Sequence, residues 1–169
     1  MRENISRRGL FNRLRGKGST IRLPWALPTS QFLDQCSRCD ACIKACGEGI
    51  VRRGDGGYPE IVFSQAGCTF CGACAEACGE GCFHAERDDR VPWSYVASVG
   101  EDCLEHRGIS CRACESWCEE RAIRFRPALG GRTDIRIETT SCTGCGACVA
   151  PCPQNAISIT EPQLEEAVA

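Results

Sequence analysis

One cysteine spacing, met four times, limits what this chain can fold around more than any other feature of it. Cys36, Cys39, Cys42 and Cys46 are spaced C-x2-C-x2-C-x3-C. Cys68, Cys71, Cys74 and Cys78 repeat that pattern, as do Cys142, Cys145, Cys148 and Cys152. A further set, Cys103, Cys111, Cys114 and Cys118, keeps the last two gaps and stretches the first to seven residues; Cys82 is left over. The 17 cysteines are an odd number among 169 residues, so they cannot all pair as disulfides within the chain. Leu, Ile, Val and Phe together number only 32, a level at which a chain usually buries too little apolar surface to fold. The cysteines must supply what side-chain packing does not.

The spacing is that of bacterial-type [4Fe-4S] ferredoxins. Three thiolates two residues apart wrap one corner of a cubane, and the fourth reaches the other cluster of a pair. Zinc is the competing metal, but zinc sites join two C-x2-C pairs across a dozen or more residues, unlike these sets. Under crossed ligation, one cluster takes Cys36, Cys39, Cys42 and Cys78, and a second takes Cys68, Cys71, Cys74 and Cys46. A third takes Cys103, Cys111, Cys114 and Cys152, and a fourth takes Cys142, Cys145, Cys148 and Cys118, so four [4Fe-4S] clusters are expected. Cys103 joins its set across the long gap, where another group can compete; His106 lies within that gap but reads as a solvated surface residue. Cys82 falls four residues past Cys78, where Ile50, Ala122 and Ala156 follow Cys46, Cys118 and Cys152. That is a place for a small buried hydrophobe, with a spare ligand as the alternative. Gly72 and Gly146 stand where the backbone must approach the cluster, and Asp40 and Arg112 take the equivalent places in the other sets. Only Cys152-Pro153 carries the usual Cys-Pro; Gly47, Gly79 and Glu119 follow the other fourth cysteines.

Between the sets lie hairpin signals. Ile50 to Arg53, a Gly-rich turn at 54–57 and Tyr58 to Phe63 read as strand, turn, strand; Ala122 to Arg126, a turn at Leu129-Gly130-Gly131 and Thr133 to Glu138 repeat the plan. Short helices are expected, one after each third cysteine. Trp93, Trp117 and Phe70 read as core fillers or cluster shields, and His84 as an ordinary packed or solvated residue. The fold class is α+β, a duplicated bacterial-type 2[4Fe-4S] ferredoxin-like fold with small sheets and short helices around the clusters. The expected organisation is a flexible basic arm at 1–30, a first two-cluster domain at 31–90, a second at 91–162 and a tail at 163–169. The arm holds seven Lys or Arg and a single acid, Glu3.

No stretch approaches the roughly 18 apolar residues of a membrane span, so no membrane insertion is expected. Ser6-Arg7-Arg8-Gly9-Leu10-Phe11 looks like a twin-arginine export motif, but Arg13, Arg15, Lys17 and Arg22 occupy the place of the apolar segment that export needs. A cytoplasmic, reducing location follows, in which dense cysteines are metal ligands. Four oxidised cubanes would add about −8 to the formal net charge of −2, which disfavours nucleic acid. The arm also lacks the interleaved aromatics of a nucleic-acid binder. No nucleophile–base pair, phosphate loop or open metal position is visible, so the chain reads as a non-enzyme. It is either an electron-transfer protein, fed by a redox donor protein, or a binding protein that helps assemble another redox enzyme.

Several short segments resemble the NapF ferredoxin-type proteins: Ser6-Arg7-Arg8, Ile21-Arg22-Leu23-Pro24-Trp25, Cys36-Ser37-Arg38-Cys39-Asp40-Ala41-Cys42, Gly56-Gly57-Tyr58-Pro59, the stretched set with Cys111-Arg112-Ala113-Cys114, and Phe125-Arg126-Pro127. The resemblance runs from about residue 6 to 160. It implies a cytoplasmic protein that interacts with the catalytic molybdenum subunit of periplasmic nitrate reductase, in its precursor form, and assists its maturation before export. A general electron carrier is the alternative. On the resemblance, Arg7, Arg8, Arg22 and Trp25 are the residues expected to meet the partner.

Overall fold

Apolar residues this scarce complete their core with cysteines: the buried ones, from Leu23 and Phe32 to Ile157 and Ile159, form one cluster that takes in Cys82, Cys114 and Cys148. The computed structural model of the chain describes residues 20–128 and 133–162. Its helices are α1 (Thr29–Gln35), α2 (Ala41–Ala45), α3 (Ala73–Glu76) and α4 (Ala113–Ser116). Its strands are β1 (Val51–Arg53), β2 (Pro59–Ile61), β3 (Val96–Val99), β4 (Ile123–Pro127), β5 (Thr133–Ile137) and β6 (Ile157–Thr160). They pair antiparallel as β1–β2, β4–β5 and β3–β6. The first two pairs are the expected hairpins. β1 and β2 meet through a short 3-10 turn at Asp55–Gly57 in which Gly56 has φ +66°, a left-handed conformation that Gly adopts without strain. The turn expected at Leu129-Gly130-Gly131 lies outside the described residues. Among the described residues no helix is long and apolar enough to cross a membrane.

The third pair departs from expectation. β3 lies close to the expected boundary between the two domains, where no strand was expected, yet it pairs with β6 over Val96↔Thr160 to Val99↔Ile157 and buries Ala97, Ile157 and Ile159. The first half has a smaller counterpart. Ala26 bridges Phe83, Leu27 N–H donates to the Cys82 carbonyl (3.0 Å), and His84 N–H donates to the Trp25 carbonyl (3.0 Å). The bond of Leu27 to Cys82 matches that of Gly100 N–H to the Ala156 carbonyl (2.7 Å), four residues past a fourth cysteine in both halves.

Part of the expected flexible arm is therefore built into the fold. Leu23 is only 2% exposed, Ile61 N–H donates to the Ile21 carbonyl (2.9 Å), and α1 starts at Thr29. The basic residues misled the reading, since the sole charged group of this stretch, Arg22, is itself tucked in. Its Nη1 donates to the Pro59 carbonyl (2.9 Å) and its guanidinium lies over the Phe32 ring.

Phe32 sits at the centre of the first half, 1% exposed, edge-on to Phe83 at 6.0 Å. Phe32→Ala is expected to cost about 3–5 kcal/mol, by lost burial plus a residual cavity. A denaturant midpoint of the cluster-loaded protein that does not move would show that this packing contributes little.

Candidate metal centres

Each metal site begins as a local backbone problem: three sulfurs must point inward from a loop of seven residues. The structure solves it by placing residues in the left-handed region at repeated positions. Arg38, Phe70 and Gly144, each just before a second cysteine, have φ of +62°, +52° and +68°. Asp40, Gly72 and Gly146, each just after it, have φ of +63°, +77° and +77°. Three residues past every fourth cysteine stand Gly49, Gly81, Arg121 and Asn155, at +61°, +68°, +51° and +51°. Arg112 breaks the series at φ −124°, so the stretched set does not share the turn of the first set, although Asp40 and Arg112 occupy equivalent places in sequence. Asp40 holds its strained position with an ion pair to Arg53 across the hairpin.

Short helices then carry the third cysteines. Cys42, Cys74 and Cys114 lie within α2, α3 and α4, and the fourth cysteine follows each helix. Around Cys148 there is a run of turns instead. Pro151 stands before Cys152 there, and its missing N–H cannot close a helical turn.

Three of the expected cysteine sets line common cavities. Cys36, Cys39, Cys42 and Cys78 line one cavity, closed at the back by Phe32 and Phe83. Cys46, Cys68, Cys71 and Cys74 line a second, with Ile50, Val51 and Phe70. Cys118, Cys142, Cys145 and Cys148 line another, with Trp117. For the stretched set, the sulfurs acting on Cys114 are those of Cys103, Cys152 and Cys111. Among the described residues no three His, Cys, Asp or Glu side chains converge as a single ion would require. All-thiol rims around cavities suit a polynuclear iron–sulfur group, and the donor set fits it.

Electrostatics press in the same direction. Burial, more than any neighbour, pushes the Cys42, Cys68, Cys74 and Cys114 thiols up to about 11 and Cys148 to about 12. Burial thus disfavours the bare thiolates, and a metal's positive charge would offset the lost hydration. Backbone amides assist: Ala122 and Ala156 N–H groups donate to the sulfurs of Cys118 and Cys152 at 3.2 Å, and Phe70 and Ala97 donate to Cys68 and Cys142 at 3.4 Å.

Cys82 occupies the buried step that Ile50, Ala122 and Ala156 take elsewhere and is 1% exposed. It also lines the first cavity, where burial and then the Cys78 and Cys36 sulfurs push its thiol up to about 12. Trp117 is no core filler; it is 59% exposed at the mouth of the Cys118–Cys148 cavity. Phe70 and Trp93 meet edge-on at 5.3 Å, and Trp93 Nε1 donates to the Thr143 carbonyl. His106 is exposed.

Of the residues assigned to a partner, Arg7 and Arg8 lie outside the described residues. Arg22 and Trp25 have partners inside the fold: Trp25 N–H donates to the Pro92 carbonyl (2.7 Å) and Nε1 to the Arg90 carbonyl (2.9 Å). Sequence reasoning missed Glu105. It is the only charged residue buried among the described ones, and its Oε1 accepts the Cys111 N–H at 2.7 Å. A carboxylate inside the seven-residue gap thus pins the cysteine that the normal x2 turn would have placed.

Comparison with known proteins agrees with this chemistry. A family model described as a 4Fe-4S dicluster domain matches residues 107–156, which take in seven of the eight second-half cysteines and leave out Cys103. The ferredoxin-type protein NapF of Escherichia coli (strain K12) is 44% identical over 94% of this chain and 96% of its own length. That of Haemophilus influenzae is 39% identical over 97% and 98%. The methylamine utilization ferredoxin-type protein MauM of Methylorubrum extorquens is 30% identical over 82% of this chain and 70% of its own.

Anaerobically purified protein is expected to hold about 16 iron and 16 acid-labile sulfide, from four full cubanes. Cys111→Ala should lose about one cluster's worth of iron, and Cys82→Ala none. Stoichiometric zinc, or iron lost from Cys82→Ala and kept in a Cys103→Ala variant, would show the ligand sets to be wrong. Glu105→Ala should loosen only the stretched site, seen as a three-iron signal in electron paramagnetic resonance (EPR), and Glu105→Gln should restore it in part.

Proposed function

The chain belongs to the NapF family of ferredoxin-type proteins and carries [4Fe-4S] clusters, and from that premise we propose that four clusters sit in two crossed pairs. Site one is Cys36, Cys39, Cys42 and Cys78; site two is Cys68, Cys71, Cys74 and Cys46. Site three is Cys103, Cys111, Cys114 and Cys152; site four is Cys142, Cys145, Cys148 and Cys118. The two halves repeat one ferredoxin-like plan, the first beginning near Ile21. Clusters bound there supply one-electron exchange and hold together a chain too poor in apolar residues to do so alone.

The role is assembly. The protein meets the precursor of the catalytic subunit of periplasmic nitrate reductase in the cytoplasm and assists its maturation before export. Near-complete overlap with the NapF proteins supports this reading, since the match takes in almost the whole of both chains. The cations at Arg2, Arg7, Arg8, Arg13, Arg15 and Lys17 serve as the docking arm, now that Arg22 and Trp25 are engaged within the fold. General electron transfer is the second reading, favoured by the exposure of Cys39 and Cys71, which brings one sulfur of sites one and two to the surface.

An anaerobic pull-down with the reductase precursor separates the two. Cluster-loaded protein should capture it, and capture only by clusterless protein, or none, would overturn the assembly role. Deleting residues 1–19 should leave iron and visible absorption unchanged while weakening capture, and added salt should do likewise. Undiminished capture by the truncated protein would remove the arm from the interface.

A further inference from the structure

One contact between the two halves falls directly between two of the sites. The amide N–H of Cys68 donates to the carbonyl of Cys145 at 2.7 Å, a direct backbone bond between a cysteine of site two and one of site four. Side chains are cleared from this contact. A Cβ on Gly67 would lie 2.8 Å from both the backbone nitrogen and the Cβ of Ala147, and one on Gly146 would run into the Phe63 ring. Gly67 has no need of glycine's left-handed freedom, so close approach is what its missing side chain serves. Aromatic rings fill the flank: Phe70, between Cys68 and Cys71, meets Trp93 at 5.3 Å. Trp93 in turn meets Phe63 at 6.3 Å and bonds to Thr143, next to Cys142.

We infer that sites two and four form the electronic junction of the chain, which places the four centres in the order one, two, four, three. The ligand sets of the preceding section underlie this order: Cys46 and Cys78 are exchanged between sites one and two, and Cys118 and Cys152 between sites three and four. Those exchanges tie each pair within its half. The Cys68–Cys145 bond joins a ligand of one half directly to a ligand of the other. An electron crossing it leaves one centre oxidised by one and the other reduced by one, so the step balances within the protein. Sites one and three are the ends of that order.

The test uses the full chain, loaded anaerobically, reduced with dithionite and read by EPR. The pair Cys39→Ala and Cys111→Ala removes sites one and three and should leave about 8 iron, in sites two and four. Its reduced spectrum should be broadened and split by interaction between the two remaining centres. The pair Cys71→Ala and Cys111→Ala leaves sites one and four, with the same iron and two separate, unsplit signals. Unsplit signals from both pairs, at the expected iron content, would overturn the junction. An iron content near 16 or near zero would instead overturn the ligand sets, and the order with them. Gly67→Val tests the contact with all sixteen ligands in place. Iron should stay near 16 and the part of the splitting that crosses between halves should disappear. A reduced spectrum identical to that of the unaltered protein would show that the contact couples nothing.

Discussion

Sulfur ionisation is the constraint from which the rest of the structure follows. Five of the cluster-facing thiols are held by burial at about 11 to 12, where a bare thiolate does not form at neutral pH. Iron makes these positions tolerable, because its charge replaces the hydration that burial removed. The apolar groups around each site then act as walls. Phe32 and Phe83 back site one, and Ile50, Val51 and Ile61 back site two. The hydrophobic clusters and the metal sites are one core, and neither is complete alone.

The four clusters proposed for one small chain would also demand relief of negative charge. Cubanes with four thiolates carry about −2 each in the oxidised state. Arg53, Arg107, Arg112 and Arg136 are engaged with nearby carboxylates, while Arg38 lines the first cavity. The backbone contributes too. The left-handed residue three past each fourth cysteine turns the chain so that the next amide can face back toward that sulfur, as Ala122 and Ala156 do at 3.2 Å. Amide donors are fixed by the turn and need no reorganisation when an electron arrives.

The sequence read most clearly where chemistry and periodicity coincide. The cysteine spacing foreshadowed the four cysteines that line each of three cavities, and alternating apolar residues placed β1, β2, β4 and β5 within a residue or two. What escaped were pairings with no local signature. Ala26 meets Phe83 and β3 meets β6 across more than fifty residues of chain, and neither partner announces itself by composition. Residues 21–27 looked like the end of a basic arm because Arg22 was weighed by its charge, while Leu23 and Pro24 settle where the segment lies. Glu105 was invisible for the opposite reason. A single glutamate in a polar stretch looks solvated until the fold brings the Cys111 amide onto it.

The stretched set shows how much of a site depends on the fold beyond its motif. Losing the short first gap removes the left-handed residue that precedes the second cysteine elsewhere, and Arg112 abandons the left-handed turn that follows it. Two local devices for aiming sulfurs are missing from the same loop. The replacement is longer in range: Arg107 N–H donates to the carbonyls of Cys103 (3.3 Å) and Leu104 (3.0 Å), Ile109 N–H donates to Leu104 (2.9 Å), and the Glu105 carboxylate closes onto Cys111. A small hydrogen-bonded lobe thus does the work of a two-residue gap. Because its closing bond is made by a side chain, one substitution can open it, whereas the tight turns of the other sets are written into the backbone. Under the proposed ligand sets, site three is a place where cluster retention depends on a residue outside the cysteine pattern.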